Sequence, residues 1–68
     1  MNVDIRKYIK ENFKGNNEKE IRESIEESIK SKEEVTLPGL GVFFEILYEN
    51  VDEDIKEEIV DILKYNLQ

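Results

Sequence analysis

Isoleucine residues recur every three or four positions in two parts of this chain, and most residues between them are charged. They form two series: Ile21, Ile25 and Ile29, then Ile55, Ile59 and Ile62. This spacing places apolar side chains on one face of an α-helix and charged side chains on the other. The pattern therefore predicts amphipathic helices, each of which needs a neighbour to cover its apolar face.

The chain is short, so its helices share one thin core. Its 68 residues suffice for a single domain, 1–68. A domain of this size buries only about 60% of the surface that its unfolded chain exposes. Hydrophobic residues make up 38% of the chain and charged residues 40%, and no cysteine is present to add a disulfide. We expect one compact helical unit of marginal stability.

Helix-start and helix-stop residues divide the chain into segments. Gly15 is suited to end a first helix, and Asn17 with Glu20 three residues later forms a capping box for a second. Two helix starts stay open between pairs of capping residues: Asn2 or Asp4 for the first helix, and Asn50 or Asp52 for the last. The predicted helices span 3–14, 18–31, 42–49 and 52–66.

Residues 32–41 are predicted to be irregular. Leu37 precedes the only proline, which disfavours helical backbone at Leu37. Pro38 and Gly39 together are typical of a type II turn, with glycine at the position that needs a positive φ.

The apolar run 42–49 is short enough to be a helix or a strand. As a strand it would pair with residues 35–37 in a β-hairpin at 34–48. The lack of strict alternation favours the helix. We therefore predict an all-α bundle of four short helices with a Pro-Gly turn before the third, and keep an α+β fold with that hairpin as the alternative.

Charge is distributed unevenly in this acidic chain, which has 17 acidic and 10 basic residues and a net charge of −7. Residues 1–16 hold four basic and two acidic residues, whereas residues 51–68 hold two basic and six acidic ones. Two interpretations stay open: the two ends attract each other within one molecule or between two copies, or they are two solvated helix faces, which the small contribution of exposed ion pairs favours. The negative total argues against nucleic-acid binding, which usually needs a basic face, and against anionic membranes.

The side chains offer little for catalysis or metal binding. Histidine and cysteine are absent, so nucleophilic catalysis lacks its usual base and thiol. The acidic run at 52–58 does not fit a calcium loop, because Glu57 stands where that loop needs glycine. Glu45, alone in an apolar run, is interpreted as the polar edge of a helix or the partner of a lysine. We expect a non-enzymatic protein with no cofactor and no metal.

What remains is an interaction surface. The run at 37–48 carries more bulky apolar groups than short helices easily cover, and exposed patches of this kind usually mark interfaces. The predicted surface consists of Leu37, Pro38, Leu40, Val42, Phe43, Phe44, Leu47 and Tyr48. Its expected partner is a second copy of the chain or an unknown protein, and the competing interpretation is burial within the monomer.

One segment carries a family resemblance. Leu37-Pro38-Gly39-Leu40-Gly41-Val42, followed by Phe44-Glu45, closely resembles the signature of the type I minor small acid-soluble spore proteins of endospore-forming Firmicutes. The resemblance runs nearly end to end and includes Gly15-Asn16 and Asp52-Glu53. Two positions depart from it: Lys32 stands where such proteins often have glycine, and Tyr48 where they often have tryptophan.

The resemblance implies a protein made late in sporulation in the forespore and kept in the spore core, with no associated catalytic activity. It is distinct from the major spore proteins that coat DNA. A fainter resemblance links residues 29–49 to the helix-then-hairpin start of histone-like DNA-binding proteins, but the basic arms are missing. The N-terminus lacks the apolar run of a targeting signal and no stretch is long enough to span a membrane, so we expect a soluble cytoplasmic protein.

Overall fold

The computed structural model describes residues 4–68, and that range consists almost entirely of helix. In chain order its elements are α1 (Ile5–Phe13), α2 (Glu18–Ser31), a 3₁₀ turn (Glu34–Thr36), α3 (Leu37–Glu49) and α4 (Glu53–Leu67). No strand occurs between residues 4 and 68, so the all-α prediction is confirmed. The alternative β-hairpin at 34–48 is wrong, because a 3₁₀ turn and α3 occupy that segment.

The bounds of α2 are those predicted from the capping residues. The Asn17 side chain accepts a hydrogen bond from the Glu20 backbone N–H at 2.9 Å, and the Glu20 carboxylate accepts one from the Asn17 N–H at 3.1 Å. This reciprocal pair satisfies two N–H groups at the helix start. It confirms the predicted capping box and the helix start at Glu18.

The structure also chooses between the alternative caps. Asp4 caps α1 by accepting a hydrogen bond from the Lys7 N–H at 3.0 Å, and Asp52 caps α4 in the same way from the Ile55 N–H, also at 3.0 Å. Asn2, the other predicted cap for α1, lies outside the described residues. Asn50 instead ends α3 as its C-cap.

The predicted Pro-Gly turn before the third helix is wrong, because Pro38 and Gly39 lie inside the first turn of α3. The first N–H groups of a helix have no intrahelical acceptor, so proline loses nothing there and its fixed φ suits the helix. Leu37 is helical, at φ −61° and ψ −41°, despite preceding a proline. The predicted irregular segment therefore shrinks to the few residues around the 3₁₀ turn.

α3 is the central helix and packs against α1, α2 and the 3₁₀ turn. The Phe13 ring of α1 meets the Phe43 ring of α3 edge to face, with centroids 4.9 Å apart. Val42 is 5% exposed and is the only buried residue of the described range. The core is therefore even thinner than the chain length predicts.

The molecule is more open than the expected compact unit. Its radius of gyration is 13.4 Å, whereas a compact domain of this length would have roughly 11 Å. α4 accounts for much of the difference, because it makes few contacts with the other helices and has no buried residue.

Candidate interaction surface

An open apolar groove runs between α1, α2 and α3, and we call it the three-helix groove. Its volume is about 600 Å³. Its walls are the apolar faces of the three helices, with Ile9 and Phe13 from α1, Ile21 and Ile25 from α2, and Phe43, Ile46 and Leu47 from α3. Phe13 and Phe43 meet where α1 packs on α3, and the other apolar side chains of the three stripes leave an open space between the helices.

Two lysines add positive charge to the wall that α1 contributes. Lys10 and Lys14 both line the groove, and within residues 4–68 neither takes part in an ion pair. A site with apolar walls and cations at one edge suits a ligand with an apolar side and an acidic border.

The polar contact between α1 and α3 is an ion pair between Arg6 and Glu45. The Arg6 Nε donates to both Glu45 carboxylate oxygens at 3.1 Å, and Nη2 lies 3.0 Å from Oε1. This hydrogen bond, with the charge of Glu45, raises the pKa of Arg6 above its usual value. Arg6 thus stays charged at all ordinary pH values. Glu45 is a partner of a basic residue, as the sequence suggested, although that residue is arginine and not lysine.

A second apolar strip lies on the outer side of α3. The rings of Phe44 and Tyr48 stack with centroids 5.7 Å apart. The Lys56 ammonium of α4 lies 5.2 Å from the Tyr48 ring centre, a cation–π contact. At about 100° of rotation per residue, Tyr48 points roughly 140–160° away from Phe43 and Ile46, which line the groove. α4 is therefore held on the side of α3 opposite the groove.

The structure divides the predicted surface 37–48 into three parts. Phe43 and Leu47 line the three-helix groove, and Val42 is buried. The five remaining predicted residues lie outside the groove: Leu37, Pro38, Leu40, Phe44 and Tyr48. Of these, Leu37, Pro38 and Phe44 are exposed, and Leu40 and Tyr48 are half-buried. Two of the eight residues therefore line the groove, one is buried and five lie outside the groove.

Most residues of the groove were missing from that prediction. The sequence identifies the stripe of α2, which includes Ile21 and Ile25, as an apolar helix face that needs a neighbour, but not as the wall of a groove. Lys10 and Lys14 were counted only in the charge balance. The periodic pattern marks which side of a helix is apolar, but it does not say whether a neighbouring helix covers that side.

Two further observations describe the polar and acidic side chains between residues 4 and 68. Within residues 4–68 no group of three or more acidic side chains is arranged to hold a metal ion. Between the same residues, no side-chain polar atom is buried without a hydrogen-bond partner. The groove itself has apolar walls with two lysines at one edge.

The fold and the groove together define a small, acidic, all-helical protein whose main surface feature is apolar and open. The sequence model of the family described as small, acid-soluble spore protein I matches residues 3–67. This chain therefore belongs to that family of spore proteins, which are made in sporulation and are not known as enzymes.

Individual relatives agree with the family match. The protein named small, acid-soluble spore protein I from Halalkalibacterium halodurans is 40% identical over 68 residues, covering all of both chains. Proteins of the same name from Bacillus cereus and Bacillus anthracis are each 38% identical over 68 residues, covering all of this chain and 99% of theirs. No solved structure matches the chain. The resemblance seen at residues 37–45 is thus confirmed at the level of the family.

No helix among residues 4–68 combines the length and the apolar character required to cross a bilayer.

Proposed function

We propose that this chain is a non-enzymatic protein of the spore core, made in the developing forespore, which acts there by binding protein through its exposed apolar surface. The family places it in the spore. The surface supports the mode of action, and the three-helix groove is the part of it best suited to a partner.

The observation that carries this proposal is the apolar character of an open groove. Seven of its nine lining residues are apolar, and Leu47 is 50% exposed within it. Burying such surface against a partner is favourable by about 25 cal/mol per Å². Amphipathic helices commonly dock in grooves of this kind, with an apolar face on the floor and charges at the rim.

Charge and fold both disfavour DNA as the partner. A net charge of −7 repels phosphates, and only Lys10 and Lys14 bring charge to the groove. The likeness of residues 29–49 to histone-like proteins depended on a hairpin, and α3 occupies that position. A protein partner fits the apolar walls better than a phosphate backbone does.

Photocrosslinking in sporulating cells tests the proposal directly. A photoreactive amino acid replaces Leu47 in the groove, and in a matched strain it replaces Lys30 on the outer, polar face of α2. Spores are irradiated, and crosslinked species are identified by peptide mass spectrometry. We expect a defined protein adduct from position 47 and none from position 30.

The possible outcomes distinguish a protein that acts by binding a partner from one that acts only through its abundance. Equal labelling at both positions, or no adduct at position 47, would contradict a binding role and leave a protein that acts by its amount alone, for example as an amino-acid store for germination. An identified adduct specific to position 47 supports the proposal, whichever protein it contains.

A further inference from the structure

Most of the apolar side of α4 is uncovered between residues 4 and 68, although Ile59 in its middle is half-buried. Ile62 is 62% exposed, and Ile55 and Leu63 are also exposed. α4 instead meets α3 through its flank, where Lys56 lies over Tyr48. An amphipathic helix gains most of its stability from covering its apolar face, so this arrangement leaves much of the stabilising contact of α4 unmade.

The solvent-accessible surface of the chain is larger than that of a compact monomer of the same mass. The chain exposes 6353 Å², whereas a folded monomer of 8.1 kDa would expose about 4,500 Å². The excess of roughly 1,900 Å² is larger than the ~800 Å² that each partner buries in a standard protein interface. The excess exposed surface of the chain is thus large enough for a dimer contact.

The groove and α4 are complementary in shape. The groove is an apolar slot between helices, and the stripe of α4 is formed by isoleucines at i, i+4 and i+7, namely Ile55, Ile59 and Ile62. This spacing presents one continuous ridge on the helix. No residue of α4 lines the groove of its own chain, because α4 lies on the Tyr48 side of α3.

The groove and α4 are also complementary in charge. An acidic row runs beside the apolar stripe of α4 at the same spacing, one residue earlier: Asp54, Glu58 and Asp61. None of the three forms an ion pair within residues 4–68, and the same holds for Lys10 and Lys14 at the groove. Unpaired acids beside one apolar surface and unpaired lysines beside another favour docking of the first on the second.

We propose that the three-helix groove binds α4 of a second copy of this chain, and that the exchange is reciprocal. Each chain has one groove and one free α4, so a two-fold dimer fills both grooves and covers both stripes, which is the isologous arrangement usual for homodimers. This inference rests on the proposed function, since it identifies the protein that the apolar groove contacts.

Charge reversal gives a test that requires both surfaces. The first variant carries Lys10→Glu and Lys14→Glu, which makes the groove acidic. The second carries Glu58→Lys and Asp61→Lys, which makes the docking helix basic. All four residues are exposed, so both variants should keep the far-ultraviolet circular dichroism of the natural chain.

Sedimentation equilibrium from micromolar to millimolar protein measures the association. The natural chain should dimerise, and each variant alone should associate at least about tenfold more weakly, because both of its sites then pair like charges. An equimolar mixture should regain the natural affinity, since an acidic groove meets a basic helix at one site and the reverse holds at the other.

The matched control carries Lys19→Glu and Lys30→Glu on the outer side of α2. It changes the net charge as much as the groove variant does but touches neither surface. It should dimerise like the natural chain. Equal weakening by the control would assign the effect to net charge and contradict the docking.

Three other results would overturn the dimer. They are a monomeric natural chain at millimolar concentration, variants that dimerise normally, and a mixture that stays monomeric. If the natural chain is monomeric while position 47 crosslinks to a different protein in spores, the proposed function stands and only this inference fails. If position 47 yields no adduct, the binding role itself fails.

Discussion

Lys32 is the residue whose backbone conformation fits its side chain least well. It forms the C-cap of α2 with φ 55° and ψ 25°, and among residues 4–68 it is the only residue other than glycine with a positive φ. The left-handed conformation costs a residue with a Cβ roughly 1 kcal/mol or more. Glycine, which has no Cβ, would adopt this backbone conformation without that cost.

Replacing Lys32 by glycine should therefore stabilise the protein. For Lys32→Gly we expect the free energy of unfolding to rise by about 0.5–1 kcal/mol, because relief of the Cβ clash outweighs the added freedom of the unfolded chain. Urea denaturation followed by circular dichroism measures the change. The same substitution at Lys30, which has helical backbone, should instead lower stability by about 1 kcal/mol. A loss at both positions would contradict the strain at Lys32.

Local signals of this kind explain what the sequence could predict. The capping box of α2 depends on two side chains three residues apart, so its hydrogen bonds can be recognised without knowing the rest of the fold. Pro38 shows the opposite case. A proline followed by glycine fits a turn or the first turn of a helix equally well, and the choice depends on α3 packing against α1, which the local pattern does not contain.

Among the helices, α3 carries glycines that its own geometry does not require. Gly41 lies in the helix, and a Cβ placed on it would meet nothing within 4 Å. Gly15, between α1 and α2, also has open space around it, but its φ is +87°. The two positions thus differ in backbone conformation and not in crowding.

This difference predicts opposite effects for one substitution. Gly41→Ala should raise the free energy of unfolding by up to about 1 kcal/mol, because alanine favours helix. Gly15→Ala should lower it by about 1 kcal/mol, because alanine is strained at positive φ. Chemical denaturation of both variants in dilute solution gives the comparison. Destabilisation by Gly41→Ala would show that another part of the protein approaches that glycine closely.

On the scale of the whole molecule, the sequence predicts which segments are helical but not how the helices pack against one another. The apolar periodicity of α4 correctly predicts a helix, and its bounds, Glu53–Leu67, differ from the prediction by one residue at each end. The same periodicity led to the expectation of a compact unit, yet Ile55 and Ile62 in the stripe of α4 are exposed. A period identifies an apolar face, but the surface that covers it depends on how the chain is connected, here through the short link after α3.

The proposed dimer predicts that stability depends on protein concentration. Val42 is buried in the monomer, whereas Ile62 is exposed there and would be covered only in a dimer. Anything that binds the folded state and not the unfolded state stabilises the folded state by a free energy that grows with the logarithm of its concentration above Kd. The melting temperature of the natural chain should therefore rise with protein concentration.

Alanine substitutions at Val42 and Ile62 should separate the stability of the monomer core from the stability added by the dimer contact. Val42→Ala should cost about 2 kcal/mol at every concentration, since it removes buried methyl groups from the monomer core. Ile62→Ala should change stability by less than about 0.5 kcal/mol in dilute solution, as exposed substitutions do, and should become clearly destabilising at millimolar protein. Thermal melts at both extremes of concentration provide the measurement. If Ile62→Ala were equally destabilising in dilute solution, the stripe of α4 would be covered within the monomer, because only an intramolecular contact is independent of concentration.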